Sequence, residues 1–441
     1  MLFVSITDDD KKVMLDSIGV KSIDELFKDI PDSIKLKNAL DLPEQLSEIE
    51  VTRHLTQVAG NNKKVCAFLG GGAYQHYVPA VVDALSSRSE FYTAYTPYQP
   101  EVSQGTLTAI FEFQTMIARL TGMDISNASM YDGATALAES VIMVLKHRKK
   151  NKVLISNTLH PNYFDVLKTY CWASGTELLT FDHDNGLSDI AKLENSITEA
   201  IGAVVVQNPN FFGCIEELKK ISDIVHEKKS QLIVVVPETF SLGLLKSPGS
   251  FGADVVCGEA RGFGNYIGFG GPQLGFIAST REYMRKLPGR LVGKTVDAEG
   301  KTAYALTLQS REQHIRRERA TSNICTNEGL VALRAVIYLS LIGNKLRDLA
   351  MLNHNIAGYL KRKLVELGFE VVFDRPYFNE FVVRHKDIKL IMNEMKKSGF
   401  IQGTELDNYY EEYKDSILVC ATEIHSKEEI DDMIEKLRGI L

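Results

Sequence analysis

The sequence predicts an α/β protein: a large domain built on a mostly parallel sheet, followed by a small α+β C-terminal domain. Three observations carry that prediction. First, short and nearly all-apolar segments recur between 150 and 280 (KVLIS, TELLTF, AVVVQNP, QLIVVV, ADVVCG, QLGFIA). Strands without polar alternation are buried on both faces, as in a parallel sheet covered by helices. Second, helical patterns fit between them, around 161–173, 188–200 and 215–229. Third, after the helix EGLVALRAVIYLSLIG the pattern changes to FEVVFD, EFVVRH and SILVCAT, closed by the helix KEEIDDMIEKLRGIL. The expected organisation is a helical arm over 1–60, a large domain over 61–330 and a small domain over 331–441.

The 441 residues suffice for two or three domains at roughly 100–200 residues each. A net charge of −7 and a pI near 5.9 argue against nucleic acid or an anionic membrane as the main partner. The six cysteines (66, 171, 214, 257, 325, 420) form no CxxC pair and no His/Cys cluster, so no metal site is expected. Their scatter fits a reducing cytoplasm. The start MLFVSITDDDKK lacks the form of a signal peptide, and no apolar run approaches the roughly 20 residues that span a bilayer.

In chain order, SIDELFKDI and EQLSEIEVTRHLTQVA are helix-periodic, and IPDS and DLP break them. An arm wrapping the main body or a partner is the expectation for 1–60. Next, VCAFLGGGAYQHY sets Gly70, Gly71 and Gly72 before Tyr74, His76 and Tyr77. Such a triplet can admit a ligand close to the backbone or simply make a tight loop. It matches no nucleotide fingerprint.

Phe91–Gly122 is the most unusual stretch. Its first eleven residues hold four tyrosines or phenylalanines, two prolines, a glutamine and a glutamate. After Gly105, Leu107, Ile110, Phe111, Ile117 and Leu120 fall at helical spacing. A rigid aromatic-polar loop is thus mounted on an anchored helix. Composition alone equally allows a loop that plugs its own domain.

In SNASMYDGATALAE, Asp132 can cap a helix whose first residues Gly133, Ala134 and Thr135 leave amides open to an anion. In the sheet region, loops at strand C-termini are the ligand face. They hold Ser156, Asn157, His160, Gln207, Asn208, Pro209, Pro237, Glu238 and Glu259. Residues 281–330 read as long, polar and irregular. Their last part sets Arg316, Arg317 and Arg319 beside Thr321, Ser322 and Asn323, which suits a phosphate or carboxylate or simply an exposed charged helix.

The string from Glu90 through Glu139, His160–Tyr163 (HPNY) and ATSNICTNE at 320–328 resemble the glycine decarboxylase P-protein family of the glycine cleavage system. The resemblance is to the N-terminal-half chain of the two-chain form and covers essentially the whole sequence. It implies a fold-type I pyridoxal-phosphate (PLP) transferase-like fold with a seven-stranded sheet. It also implies an activity: glycine is bound as an aldimine of PLP, carbon dioxide is released, and the aminomethyl group passes to the lipoyl group of H-protein.

Such a fold holds PLP through a lysine after a late strand, with an acid on the pyridinium nitrogen. The window 253–276 contains no lysine. Arg261 stands near the expected slot, and a guanidinium cannot form the imine. The acid position reads Pro237-Glu238. The resemblance therefore implies that PLP is held covalently by a second P-protein subunit and shared at the interface, in an α2β2 assembly. This chain is then expected to offer Thr321, Ser322 and Asn323 to the phosphate. Tyr95, Tyr98, Gln99 and Glu101 would line the glycine pocket and the lipoyl entrance, with Gly71, Gly72 and Tyr74 completing the wall. Asp132, Gly133, Ala134, Thr135 and His160 stand where an active relative cradles phosphate and stacks on the ring.

Overall fold

The computed structural model describes residues 5–38, 40–320, 322, 324 and 326–441. Thr321, Asn323 and Cys325 lie outside them. The chain divides into a unit over 1–63 and a unit over 64–441. In the first, α1 (Asp8–Ile18) and α2 (Glu48–Ala59) each start on a capping box, Thr7 with Asp10 and Ser47 with Glu50. Neither helix buries a residue, and Leu26, Phe27, Ile49 and Leu55 stand exposed.

The second unit begins with β1 (Cys66–Ala67), the short α3 (Ala80–Ser86) and the amphipathic α4 (Gln104–Thr121). α4 buries Leu107, Ile110, Phe113 and Ile117, close to the expected face. It stops at Gly122, whose φ of +71° lets its amide fold back onto the Ala118 and Arg119 carbonyls. β2 (Ile125–Ser126), α5 (Gly133–Arg148), β3 (Lys152–Ser156), α6 (Pro161–Ser174), β4 (Glu177–Phe181), α7 (Ile190–Ser196), β5 (Ile201–Gln207), α8 (Leu218–Glu227), β6 (Gln231–Val236), β7 (Val255–Glu259) and β8 (Gly275–Ser279) follow, and the strands among them pair side by side. They build a seven-stranded sheet in the order β2-β8-β7-β6-β5-β3-β4. β7, β6, β5, β3 and β4 are parallel, and β8 runs antiparallel to both β7 and β2.

The apolar runs are explained by two cores. In β5, Val204 and Val206 face one core with Phe113 and Ile117 of α4. Ala203 and Val205 face the other with Leu137 and Val141 of α5. Each valine so enclosed contributes about 1.5–3 kcal/mol by leaving water.

Residues 281–330 are more regular than expected. β9 (Leu291–Val296) and β10 (Thr302–Thr307) form an antiparallel hairpin. Two glutamines of α4 clamp it. Gln114 accepts from the Val292 amide at 2.9 Å and donates to its carbonyl at 3.0 Å; Gln104 does the same to Tyr304, at 2.9 Å for both bonds.

α9 (Gly329–Ile342) then leads into α10 (Leu346–Glu366). By length and composition the path Gly329–Glu366 could cross a membrane, contrary to the sequence expectation that no run reaches that length. α9 nonetheless packs against α3 and α4, burying Val331, Ala332, Ala335 and Tyr338. The C-terminal part pairs β11 (Glu370–Val371), β12 (Glu380–Arg384), β14 (Thr404–Glu405) and β15 (Ser416–Cys420) in one sheet. β13 (Phe400–Ile401) instead pairs with β1. That sheet packs on α10, α11 (Ile388–Lys397) and α12 (Lys427–Ile440).

Candidate functional site

The C-terminal ends of β5, β6 and β7 meet the start of α5, the Gly70–Gly72 loop and β12. Asp132 caps α5, accepting from the Thr135 amide at 2.7 Å, as its sequence predicts. The first amide of that helix is not open. Gly133 N–H donates to Glu259 Oε2 at 3.0 Å, while Glu259 Oε1 accepts from Arg261 and Leu274 at 3.0 and 2.7 Å. Burial pushes the Glu259 carboxyl up to about 7 against those three N–H donors. The chain's own carboxylate thus occupies the helix start where an anion would sit.

Beside it, the Arg261 guanidinium is buried and donates to the Tyr74 carbonyl at 3.1 Å. It lies in the field of Glu259 and Glu238. Glu238, at the end of β6, accepts from the Phe240 amide at 2.9 Å and from Asn379 Nδ2 at 3.2 Å. Its Oε2 also faces His76 Nε2 at 3.2 Å. His76 Nδ1 faces Glu423 Oε2 at 2.9 Å, and the ring lies flat on Phe240 at 3.6 Å. Both ring nitrogens therefore donate to carboxylates, which requires the imidazolium. Burial opposes that charge, yet Glu238 and Glu423 together raise His76 to about 9.

Glu380, inside β12, accepts from the Gly71 amide at 2.5 Å and the Tyr74 hydroxyl at 2.9 Å. Burial first, and the nearby Glu238 charge, raise it to about 8. His160 Nε2 donates to the Gly71 carbonyl at 2.6 Å, and Nδ1 accepts from Asn162 at 3.1 Å. That is the neutral tautomer, in keeping with burial lowering its pKa.

The glycine triplet is explained here. A Cβ on Gly72 would meet His160 Nε2 at 2.6 Å, and one on Gly70 would strike Glu380. Close approach serves the chain's own side chains.

These residues do not fit PLP. The helix start is held by Glu259, Arg261 stands near the slot expected for a lysine, and Glu238 is engaged by His76. Lys246 and Lys286 are exposed. Asp132 and Thr135 bond each other, and His160 bonds the Gly71 carbonyl.

The tyrosine loop lies elsewhere. Tyr95 is 83% exposed and Gln99 and Glu101 are exposed, so no core plug is formed. Tyr92, Tyr95, Arg290, Thr326 and Asn327 line a cavity of about 240 Å³. Tyr98 is half exposed, with its hydroxyl accepting from Arg290 Nη2 at 2.9 Å. Ser322 bonds the buried Glu139 and lines a second cavity, with Glu139, Lys146 and Arg317. It also meets Arg290 across a narrow cleft.

Sequence reasoning missed the roles of Glu380, Glu423, His76 and Arg290. A glutamate within the apolar strand EFVVR was a usable signal for Glu380, since a buried carboxylate needs partners.

A mostly parallel seven-stranded sheet, covered on both faces and carrying a closed cleft at its strand ends, defines a fold-type I PLP-enzyme scaffold. Lactobacillus brevis glutamate decarboxylase shares the fold alone, at a TM-score of 0.71 and 13% identity over 91% of this chain and 94% of that one. More specifically, the chain belongs to the glycine cleavage system P-protein family, whose model matches residues 1–437. It is 48% identical to the "Probable glycine dehydrogenase (decarboxylating) subunit 1" of Bacillus mycoides, over 99% of both chains. It is likewise 48% identical to the protein of that name from Anoxybacillus flavithermus, over 99% of this chain and 98% of that one. A crystal structure of glycine decarboxylase (P-protein) of the glycine cleavage system, in inhibitor-bound form, superposes with a TM-score of 0.90. Its identity is 43% and all of both chains is covered.

Proposed function

We propose that this chain is the cofactor-less subunit of a heteromeric glycine decarboxylase, completing an active site whose PLP is held by a lysine of a second, related P-protein subunit. The observation that carries this reading is the filled cleft. A member of this family that lacks the lysine, and sets Glu259 on Gly133 and His76 on Glu238, has no seat for the cofactor its family uses. Its aromatic loop meanwhile stands exposed.

When bound to the second subunit, PLP supplies the electron sink for loss of carbon dioxide from glycine. This chain's residues supply the surroundings. Tyr95 and Tyr98, with Gln99 and Glu101, form a wall that orients glycine and keeps water from the reacting carbon. Thr321, Ser322 and Asn323 offer hydroxyl and amide groups to the cofactor's phosphate. A lipoylated H-protein takes the aminomethyl group, and two copies of each subunit complete the assembly. The five free cysteines among the described residues support a cytoplasmic setting.

The experiment is glycine-dependent exchange of labelled carbon dioxide in the assembled two-subunit enzyme carrying Tyr95→Phe or Thr321→Ala. Each is expected to lower exchange roughly tenfold or more with assembly intact, as expected when one positioning group is lost. Parent-like exchange in both variants overturns the shared site.

A further inference from the structure

Arg290 lies outside every motif in the sequence, yet it is 2% exposed at the point where the tyrosine loop, the start of the β9–β10 hairpin, Glu312 and Asn327 converge. Its Nη2 donates to the Tyr98 hydroxyl at 2.9 Å, and its guanidinium carbon lies 5.3 Å from the centre of the Tyr98 ring. Nη1 donates to Asn327 Oδ1 at 3.4 Å, and Nε lies 3.7 Å from Glu312 Oε2. The residue itself is held from behind. It immediately precedes β9, which Gln114 of α4 pins through Val292, and its carbonyl accepts from the Ala128 amide at 2.9 Å. One planar, permanently charged fork thus joins three segments otherwise far apart in sequence, a task that a lysine's single point charge does not perform.

We propose that Arg290 is the positioning residue of the tyrosine wall, fixing the 91–102 loop against Glu312 and Asn327 so that they face the cofactor of the second subunit as one rigid surface. The inference rests on the shared-site reading and adds the residue that sets its geometry. Arg290 acts through Tyr98 and Asn327. The tyrosine wall keeps its exposed outer face because its inner edge is tied to a buried cation, and the 240 Å³ cavity beside it keeps its shape for the same reason.

The test uses the assembled enzyme with Arg290→Lys, Tyr98→Phe and their double variant. The pair Arg290→Gln/Glu312→Gln is added because it removes both charges of the Arg290–Glu312 contact together if the single change fails to fold. Two quantities are read: amide hydrogen exchange of residues 91–102, and glycine-dependent carbon dioxide exchange. Faster amide exchange at 91–102, without faster exchange in the sheet strands, is expected in the Arg290 variants, with the thermal midpoint of the complex little changed. A loss of activity of roughly tenfold is expected in kcat rather than KM, since the slackened group orients rather than captures glycine. The double variant is expected to lose no more than the larger single loss, because both changes cut one tie. Unaltered amide exchange at 91–102, or additive losses, overturns the role of Arg290. If Tyr98→Phe and Tyr95→Phe lose activity while the Arg290 variants keep it, Arg290 alone falls. If all of them keep it, the shared-site reading falls as well.

Discussion

Glu259 Oε2 accepts the Gly133 amide at 3.0 Å, so the last residue of a buried strand occupies the helix start where this scaffold cradles an anion. The pair lies 126 residues apart in sequence and sets the character of the whole cleft. With the helix start closed, the remainder is closed by His76 pairing with Glu238 and by Arg261 donating to the Tyr74 carbonyl.

Replacing Glu259 by alanine leaves the amides of Gly133, Arg261 and Leu274 buried without an acceptor. The expected cost is about 3 kcal/mol or more, since each unpaired buried donor costs roughly 1–3 kcal/mol. Urea unfolding of the variant measures it. A loss below about 1 kcal/mol would mean that the carboxylate is not the partner those amides depend on.

Gly72→Ala is expected to destabilise by about 2 kcal/mol or more, because its φ of +92° strains any side chain and the new methyl meets His160 Nε2 at 2.6 Å. The same change at Gly105, where a Cβ meets nothing, serves as the control and is expected to be neutral or better. Equal behaviour of the two variants refutes the role given to the glycine triplet.

Stability should fall as pH rises above neutrality. His76 stands at about 9 in the folded chain against 6.5 unfolded, so its contribution is full below 6.5 and is lost as pH rises through about 9. Glu380, raised from 4.5 to about 8, acts in the same direction because its buried neutral form is the favoured one. The thermal midpoint is expected to drop between pH 7 and pH 9.5, and to drop less steeply in His76→Asn. An identical slope in that variant excludes the His76 bridge as a source.

Arg261→Lys restores a lysine to the expected position without emptying the cleft. It is expected to gain no borohydride-stable PLP, since Glu259 still holds the helix start and His76 still holds Glu238. Covalent PLP on Lys at that position would show that the arginine alone had kept the cofactor out.

Much of the fold was legible because its signals are local. Valine-rich runs such as IGAVVVQ and QLIVVV announce doubly buried strands, and the spacing of Leu107, Ile110 and Ile117 announces one face of α4. The absent lysine was legible for the same reason. What fills its place was not. Glu259 with Gly133, His76 with Glu423 and Arg290 with Tyr98 are pairings across 126, 347 and 192 residues, and no periodicity encodes a partner at that range. The β9–β10 hairpin looks irregular in the sequence because many of its residues are polar. Its order is imposed from outside by Gln104 and Gln114, which a helix pattern counts only as polar positions.

On the proposed shared site, this chain cannot seat PLP and serves a site anchored on another chain. This is tested most directly by adding PLP to the chain alone and to the chain assembled with its second subunit, reducing both with borohydride, and mapping the adduct by peptide mass spectrometry. No site-specific adduct is expected on the isolated chain, and in the complex a single adduct is expected on a lysine of the second subunit. A stoichiometric phosphopyridoxyl-lysine on this chain, alone or assembled, would contradict the shared site.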